Sequence, residues 1–548
     1  MVTVTLKKKI LNRLLGRELS NGELQEKLPL IKCGVESSTP EELEIEVTGD
    51  RPDLLSSEGV ARALKGFLGQ EKGLHLFNVA KASTEATVDK SVQGIRPFLA
   101  CAVVEGASFE DEDIAELMQI QEKLHQTHGR RRRKAAIGIH DYEKIRPPLY
   151  YRAVRPRDAS FVPLGLQTAC NLQEILEKHS KGIEYAFTLE GKQLYPVIFD
   201  ASGDVVSFPP IINAARTEVT EETTRLLVEV TGTEFEACNT ALNILCANFA
   251  DRGAKIHGVK INYAEKKLVT PENAPTIMHV STAEANRVLG LNLRPSEAAE
   301  CLEKQRIGAR IEGNFIACEI PRYRADFIHP IDLVEEISIG YGYNAFEPKR
   351  PSVFTKGEAS PLTRKTNLCR DLLLGAGFLE ASTPVLASEE RFAKACAQEK
   401  PLLLSNPVSK DYVLIRSSLA PNILELLSKN THAPYPQKVF EVGEVVLRDE
   451  RSHEKSSTYY SACAATAHAA ASITEIASLA MEVLKRQGIN CELVPTHHDQ
   501  FIHGRAAAII SEGKEIGALG EVSPAVLEGF GLTMPVALFE ARIARIEY

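Results

Sequence analysis

The sequence predicts a protein built from several α+β domains, and three observations carry this. The chain has 548 residues, more than one core accommodates at roughly 150 residues per domain. Apolar residues at helical spacing recur along it between short strand-like runs. Its composition, 44% hydrophobic and 25% charged, is that of folded globular domains and excludes a disordered chain. No stretch approaches the ~20 apolar residues that span a bilayer. The opening MVTVTLKKKILNRLLG lacks the unbroken apolar core of a signal peptide, so a cytoplasmic protein with no membrane partner is expected.

Breaks near 69–90, 270–281 and 347–361 divide the chain into 1–84, 85–268, 269–346 and 347–548, the last break being rich in Pro and Gly. In the first segment, GDRPDLLSSEGVARALKGFLG reads as a turn feeding a helix capped by Ser56 or Ser57, with Val60, Ala61, Leu64 and Phe67 on one face. The second mixes strand-like LYPVIF and RLLVEVTG with helical FEACNTALNILCANFADRG, an α+β domain in itself. In the third, STAE has the form of a capping box, with Ser281 as cap and Glu284 three residues on. ARIEGNFIACEIP then reads as a hairpin around a Gly-Asn type turn, giving a small domain of winged-helix outline. The fourth alternates helical LTRKTNLCRDLLLGAG and ITEIASLAMEVLKRQG with strands KVFEVGEVVL and AAAIISEGKEIGALGEV, a domain of catalytic size.

PRYRADFIHPIDLVEE, residues 321–336, sets Asp326, Asp332, Glu335 and Glu336 close together. Pro330 suits the first turn of a helix, on which Asp332 shares a face with Glu335 and Glu336, and like charges at that spacing repel. Two arrangements relieve the repulsion. Arg322 and Arg324 neutralise part of the charge while the rest faces water, or a hard divalent ion such as Mg²⁺ takes the oxygens. The eleven cysteines are scattered, Cys238 and Cys246 being the closest pair, so the spacing fits neither a zinc knuckle nor a disulfide framework. A net charge of -9 excludes a generally basic coat, yet HGRRRRK at 128–134 gathers five cations, as a solvated loop or a phosphate contact. His140 and Asp141 are adjacent on a strand and point to opposite faces, which argues against an acid–base pair.

GAGFLEASTPVL resembles motif 1 of class II aminoacyl-tRNA synthetases, the unit that builds their dimer interface. LSNPVSKDYVLIRSSLAPNILELLSKN followed by PQKVFEVGEVV, together with DRPDLLSSEGVARAL and PRYRADFIHPIDLVEEISIGYGYN, resembles the phenylalanyl-tRNA synthetase β-subunit family over essentially the whole chain and in that family's order. The length resembles the archaeal/eukaryotic type, since bacterial members carry an oligonucleotide-binding insertion and an anticodon-binding domain for which there is no room.

The resemblance implies an α₂β₂ heterotetramer that binds tRNA(Phe) and uses ATP, with the aminoacylation site on the α subunit. It implies a Mg²⁺ site at Asp326, Asp332, Glu335 and Glu336, shared with that subunit. Residues 347–548 would form an antiparallel-sheet class II synthetase-like module. Here the chain departs from the class II pattern: no Phe-Arg-x-Glu follows VFEVGEVV, and GLTMPVALFEARIARIEY lacks the Gly-rich stretch ending in Glu-Arg, so adenylation chemistry is not expected. Residues 85–268 resemble the family's editing domain, which hydrolyses Tyr-tRNA(Phe). That carry-over marks Glu229 and Thr231 in LLVEVTGTE, and Ser207 before PPII, as site residues. Archaeal members carry Asp where Glu229 stands, and the extra methylene moves the carboxylate. Two other readings stay open, a non-catalytic nucleic-acid-binding scaffold and a free-standing editing hydrolase.

Overall fold

The computed structural model describes residues 2–397 and 400–546, so the last two residues of the C-terminal strand region lie outside it. The chain is α+β throughout, and it divides into two compact units, Met1–Lys349 and Arg350–Tyr548. No helix among the described residues is long and apolar enough to cross a membrane.

The first unit opens with an antiparallel sheet in which Glu42–Val47 lies between Val2–Lys7 and Cys33–Ser38. Strict alternation builds it: Leu43, Ile45 and Val47 are buried while Glu42, Glu44 and Glu46 face outward. The helix Ser57–Phe67 follows, capped by Ser56, whose hydroxyl accepts the Gly59 N–H at 3.3 Å. Val60, Ala61 and Leu64 are buried as expected, but Glu58 and Arg62 are buried too, so this helix is enclosed nearly all round.

A ten-stranded sheet comes next. Its path runs Ile212–Asn213, Val205–Phe208, Tyr195–Phe199, Leu149–Val154, Val79–Val88, Lys255–Asn262, Phe98–Glu105, Arg225–Gly232, Ala135–Asp141, with Lys267–Thr270 added to Lys255–Asn262. Only the pairs made by Val79–Val88 are parallel. The two ends of the path come together, because Asn213 Nδ2 donates to the Ile139 carbonyl at 3.3 Å. The sheet thereby curls around one face. That inner face carries Leu99, Cys101, Val103, Tyr151, Ile198 and Leu227. The alternate residues Ala100, Ala102, Val104, Val228 and Val230 pack outward against the helices Asp111–Gln126 and Phe235–Asp251.

The rest of this unit is a three-stranded sheet, Thr276–Ser281, Phe315–Ile320 and Gly308–Glu312, with helices Thr282–Leu289, Pro295–Lys304 and Pro330–Tyr341. The hairpin turns at Gly313, whose φ of 64° suits a residue without a Cβ. Ser281 caps its helix, but Glu284 pairs with Arg287 instead of closing the box.

The second unit is a seven-stranded sheet in the order Leu379–Glu380, Gln437–Arg448, Ser456–Ala467, Val536–Arg545, Lys514–Val522, Phe501–Ser511, Glu492–Pro495, antiparallel except for the first pair. Alternation in SACAATA sends Ala462 and Ala464 to the face covered by Pro361–Gly375 and Ile473–Arg486, and Cys463 and Ala465 to the face covered by Ala420–Lys429.

Candidate functional site

A cavity of about 970 Å³ opens between the helix Asp111–Gln126, the segment 178–184 and the curled sheet. Its wall is mostly apolar, with Ile137, Ile139, Leu164 and Ile211, and a few polar groups converge on it. Glu229 is one of these and is only 2% exposed. Its strand is hydrogen-bonded on both sides, with Cys101 opposite on one neighbour and Gly138 on the other. Gly138 makes the room: a Cβ there would overlap Glu229 Oε1 and stand 2.8 Å from His140 Nε2.

His140 is fully buried, and its Nε2 lies 3.8 Å from Glu229 Oε1. Its Nδ1 is 2.9 Å from Thr217 Oγ1, and that hydroxyl donates to the Ala214 carbonyl at 3.1 Å. With its one proton so used, Thr217 accepts from Nδ1–H, so the neutral ring carries its lone pair on Nε2. Two acceptors therefore face each other across a gap. Among the described residues, neither Glu229 Oε2 nor His140 Nε2 has a hydrogen-bond partner, although both are buried. Buried acceptors left unpaired are costly, and such a pair is ready for a ligand that donates.

Ser207 also lines the cavity, and its hydroxyl donates to Asn213 Oδ1 at 3.3 Å. Thr231 sits behind the wall. Arg96 Nε donates to its hydroxyl at 2.9 Å and Arg96 Nη2 to its carbonyl at 2.6 Å, and Arg96 also holds the carbonyls of Arg132 and Arg133. Asp141 points away from His140 to Lys144 and Thr223.

Sequence reasoning missed three residues of this wall. His125 is buried, which pushes its imidazole down to about 4, and its Nε2 accepts the Ile137 N–H at 2.8 Å. His125, whose Nδ1 stands 3.6 Å away, and the Arg132 charge hold Glu122 well below the usual carboxylate range despite partial burial. Their spacing of three on one helix was the available signal. Arg132 is the third. Arg130, Arg131 and Arg132 have φ of 49°, 54° and 63°, a left-handed run of the kind that costs roughly 1–2 kcal/mol per non-glycine residue. It turns Arg132 inward, where Nη1 donates to the carbonyls of Pro210 and Ile211 at 3.1 and 2.8 Å and Nη2 to Glu122 at 3.2 Å. Its guanidinium stacks 4.0 Å from the centroid of Tyr185. The run is thus neither wholly solvated nor wholly available to phosphate.

The four acidic residues near 330 find separate partners, except that Asp326 and Glu336 share Arg324. Arg324 binds Asp326 through two hydrogen bonds of 2.9 and 2.6 Å and stands 2.9 Å from Glu336, which is 1% exposed. Burial raises the Asp326 carboxyl, but the Arg324 charge and hydrogen bonds outweigh it and hold the group at about 2. Asp332 accepts the N–H groups of Ile328 and His329, both at 2.7 Å, and caps the Pro330–Tyr341 helix. Glu335 pairs with Lys32 at 2.9 Å. No group of three or more metal-ligating side chains stands together among the described residues. As placed, these carboxylates are served by cations and N–H groups, which a Mg²⁺ ion would have to displace, so no chemistry is routed through the ion.

In the second unit, Arg416 pairs with Glu441 at 2.7 Å in the interior. Glu540 accepts from the Ser418 hydroxyl and from the N–H groups of Leu419 and Ala420 at the start of the Ala420–Lys429 helix. The cavity beside it, lined by Ser461, Glu515 and Glu540, is about 90 Å³.

Comparison with known proteins places both units. Residues 278–343 match the tRNA synthetase B5 domain, and residues 347–543 match the phenylalanyl tRNA synthetase beta chain CLM domain. These modules define the class: a chain of an aminoacyl-tRNA synthetase. The phenylalanine–tRNA ligase beta subunit of Archaeoglobus fulgidus is 42% identical, with 98% of each chain covered, and that of Pyrococcus furiosus is 38% identical, with 97% of each covered. A crystallised N-terminal fragment of the phenylalanyl-tRNA synthetase beta-subunit from Pyrococcus horikoshii is 37% identical, with a TM-score of 0.60, covering 62% of this chain and 99% of the fragment. The chain belongs to the phenylalanine–tRNA ligase β-subunit family, and it is one part of an enzyme complex.

Proposed function

We propose that the cavity around Glu229 and His140 is an editing site that hydrolyses Tyr-tRNA(Phe), while a partner α subunit carries ATP-dependent aminoacylation in an α₂β₂ assembly. The observation that carries this reading is Glu229, a buried carboxylate on the cavity wall with an unpartnered oxygen, backed by the buried, unpartnered Nε2 of His140. A tyrosine phenol donates one hydrogen bond to Glu229, with His140 Nε2 completing the acceptor surface. Phenylalanine fills the same apolar space and leaves both acceptors unpaired, the kind of penalty that supports discrimination of roughly 10⁴–10⁵. Ser207 lies where it can contact the ester, and Thr231 acts through Arg96 as a positioning residue. The attacking nucleophile is water, oriented at the ester by the polar wall and the terminal ribose of the tRNA.

The second unit supports the division of labour. Its 90 Å³ cavity is well below the ~300 Å³ of small-ligand pockets. The test compares the full chain alone with the chain co-expressed with a matching α subunit. Deacylation of Tyr-tRNA(Phe) in preference to Phe-tRNA(Phe), together with phenylalanine-dependent ATP–pyrophosphate exchange only in the co-expressed sample, is expected. Deacylation by the chain alone with no association to any α subunit would favour a free-standing hydrolase. Neither activity, with duplex DNA preferred to tRNA, would favour a scaffold.

Gly138→Ala gives a more local expectation. The three atoms nearest the new Cβ belong to the Glu229 and His140 side chains and none to the backbone, so the unfolding midpoint in urea is expected to fall only modestly. The Glu229 carboxylate must swing aside, and Tyr-tRNA(Phe) deacylation is expected to fall at least tenfold. Retained deacylation would place the recognising group elsewhere.

A further inference from the structure

We propose that Arg131 and Arg133 form a phosphate clamp for the single-stranded 3′ end of the tRNA whose terminus enters the cavity, an inference that rests on the editing reading of that cavity. The Arg130–Arg132 backbone is left-handed without a single glycine, and strain of this kind persists only where the surroundings enforce it. What it achieves is a separation of neighbours. Arg132 turns in to hold the Pro210 and Ile211 carbonyls on the cavity wall, while Arg131 and Arg133 remain exposed, both over the Phe187 ring at 4.9 and 4.8 Å from its centroid. Tyr185, beneath Arg132, lies 6.3 Å from Phe187, so the outward cations stand beside the wall that Arg132 builds.

Their charge is uncommitted. The nearby carboxylates Glu122, Glu184 and Glu234 are taken by Arg132, Lys181 and Lys134. Among the described residues, the side chains of Arg131 and Arg133 make no hydrogen bond or ion pair, only the ring contacts. A guanidinium stacked on an aromatic ring keeps its N–H edge free for a phosphate oxygen. On a chain of net charge -9, two uncommitted cations that flank the wall residue Arg132 offer a local site to a polyanion strand. The partner is therefore single-stranded RNA reaching the cavity by its end, with successive phosphates on Arg131 and Arg133.

The test measures binding, separately from hydrolysis, by fluorescence anisotropy of the full chain with an acceptor-stem minihelix bearing its single-stranded 3′ end. The variant is Arg131→Gly with Arg133→Gln. Glycine accepts the left-handed backbone freely, so the thermal midpoint is expected to hold or rise, which separates lost binding from lost folding. Affinity is expected to fall about tenfold at low salt. The slope of log K against log salt is expected to shrink by about 1.4, two contacts at ~0.7 each for a single strand. Unchanged affinity and slope would overturn the clamp, and so would an equal loss for a blunt minihelix lacking the 3′ extension. If the parent chain fails to deacylate Tyr-tRNA(Phe) while the variant still loses affinity for the overhang, the editing reading falls and the clamp stands.

Discussion

Glu229→Gln is expected to lower kcat/KM for Tyr-tRNA(Phe) deacylation by about 10- to 150-fold and to leave any Phe-tRNA(Phe) deacylation unchanged. The substitution keeps the shape of the side chain and removes its charge. A hydrogen bond to a charged acceptor contributes roughly 1.5–3 kcal/mol, which converts to that range. Because only tyrosine carries the donating hydroxyl, the loss appears as a loss of preference. Parallel deacylation assays with both charged tRNAs measure it. An equal fall for the two substrates would give Glu229 a role in water orientation, and no fall for either would remove it from the site. Glu229→Asp, which retains charge but withdraws it by a methylene, is expected to fall between the parent and the Gln variant.

Arg324→Met destabilises the first unit by about 3–5 kcal/mol, since it strands Asp326 and Glu336 in the interior without their cation. Urea unfolding measures this, and Arg324→Met combined with Asp326→Leu and Glu336→Leu is expected to recover most of the loss, because an apolar replacement of a buried ion network removes the uncompensated charge. The pH dependence has a definite sign. The folded Asp326 carboxyl sits at about 2, below the ~3.9 of an unfolded chain, so its contribution is present above ~3.9 and is lost as pH falls toward 2. In Arg324→Met that acid-side loss disappears. A parent chain whose midpoint rises steeply with Mg²⁺ would instead show that the carboxylates rearrange around the ion.

The parts of this molecule that were readable in advance are those decided by neighbours in the chain. Ser56 and Ser281 cap helices, Pro330 opens one, and Gly313-Asn314 turns a hairpin because each outcome depends on a few adjacent residues. The α+β character followed from the alternation of helical and strand-like runs. The candidate site was less readable. The rule that His140 and Asp141 face opposite ways is correct, yet it led away from His140, whose counterpart Glu229 lies across a ladder with Glu229 opposite Gly138. Cross-strand register of that kind depends on which strands meet, and strands so far apart in the chain carry no local sign of it. The arginine run misled for a different reason. As composition it is uniform charge, while its left-handed backbone sends Arg132 inward and its neighbours outward, a choice enforced by the Pro210 and Ile211 carbonyls far along the chain. The acidic set shows the same limit, since Lys32 reaches Glu335 from 303 residues away.

The strand that carries Glu229 is laddered on both edges, to Phe98–Glu105 and to Ala135–Asp141, and covered on both faces. Backbone amides so placed trade protons with solvent only when a large part of the domain opens. In deuterium labelling, residues 226–231 should be among the last of the chain to acquire mass, and ligand should barely slow them further. On the proposed editing reading, selection at this wall is then rehearsed before any substrate arrives. A rejected aminoacyl group finds no pliable surface to mould, and discrimination runs at the speed of entry and exit.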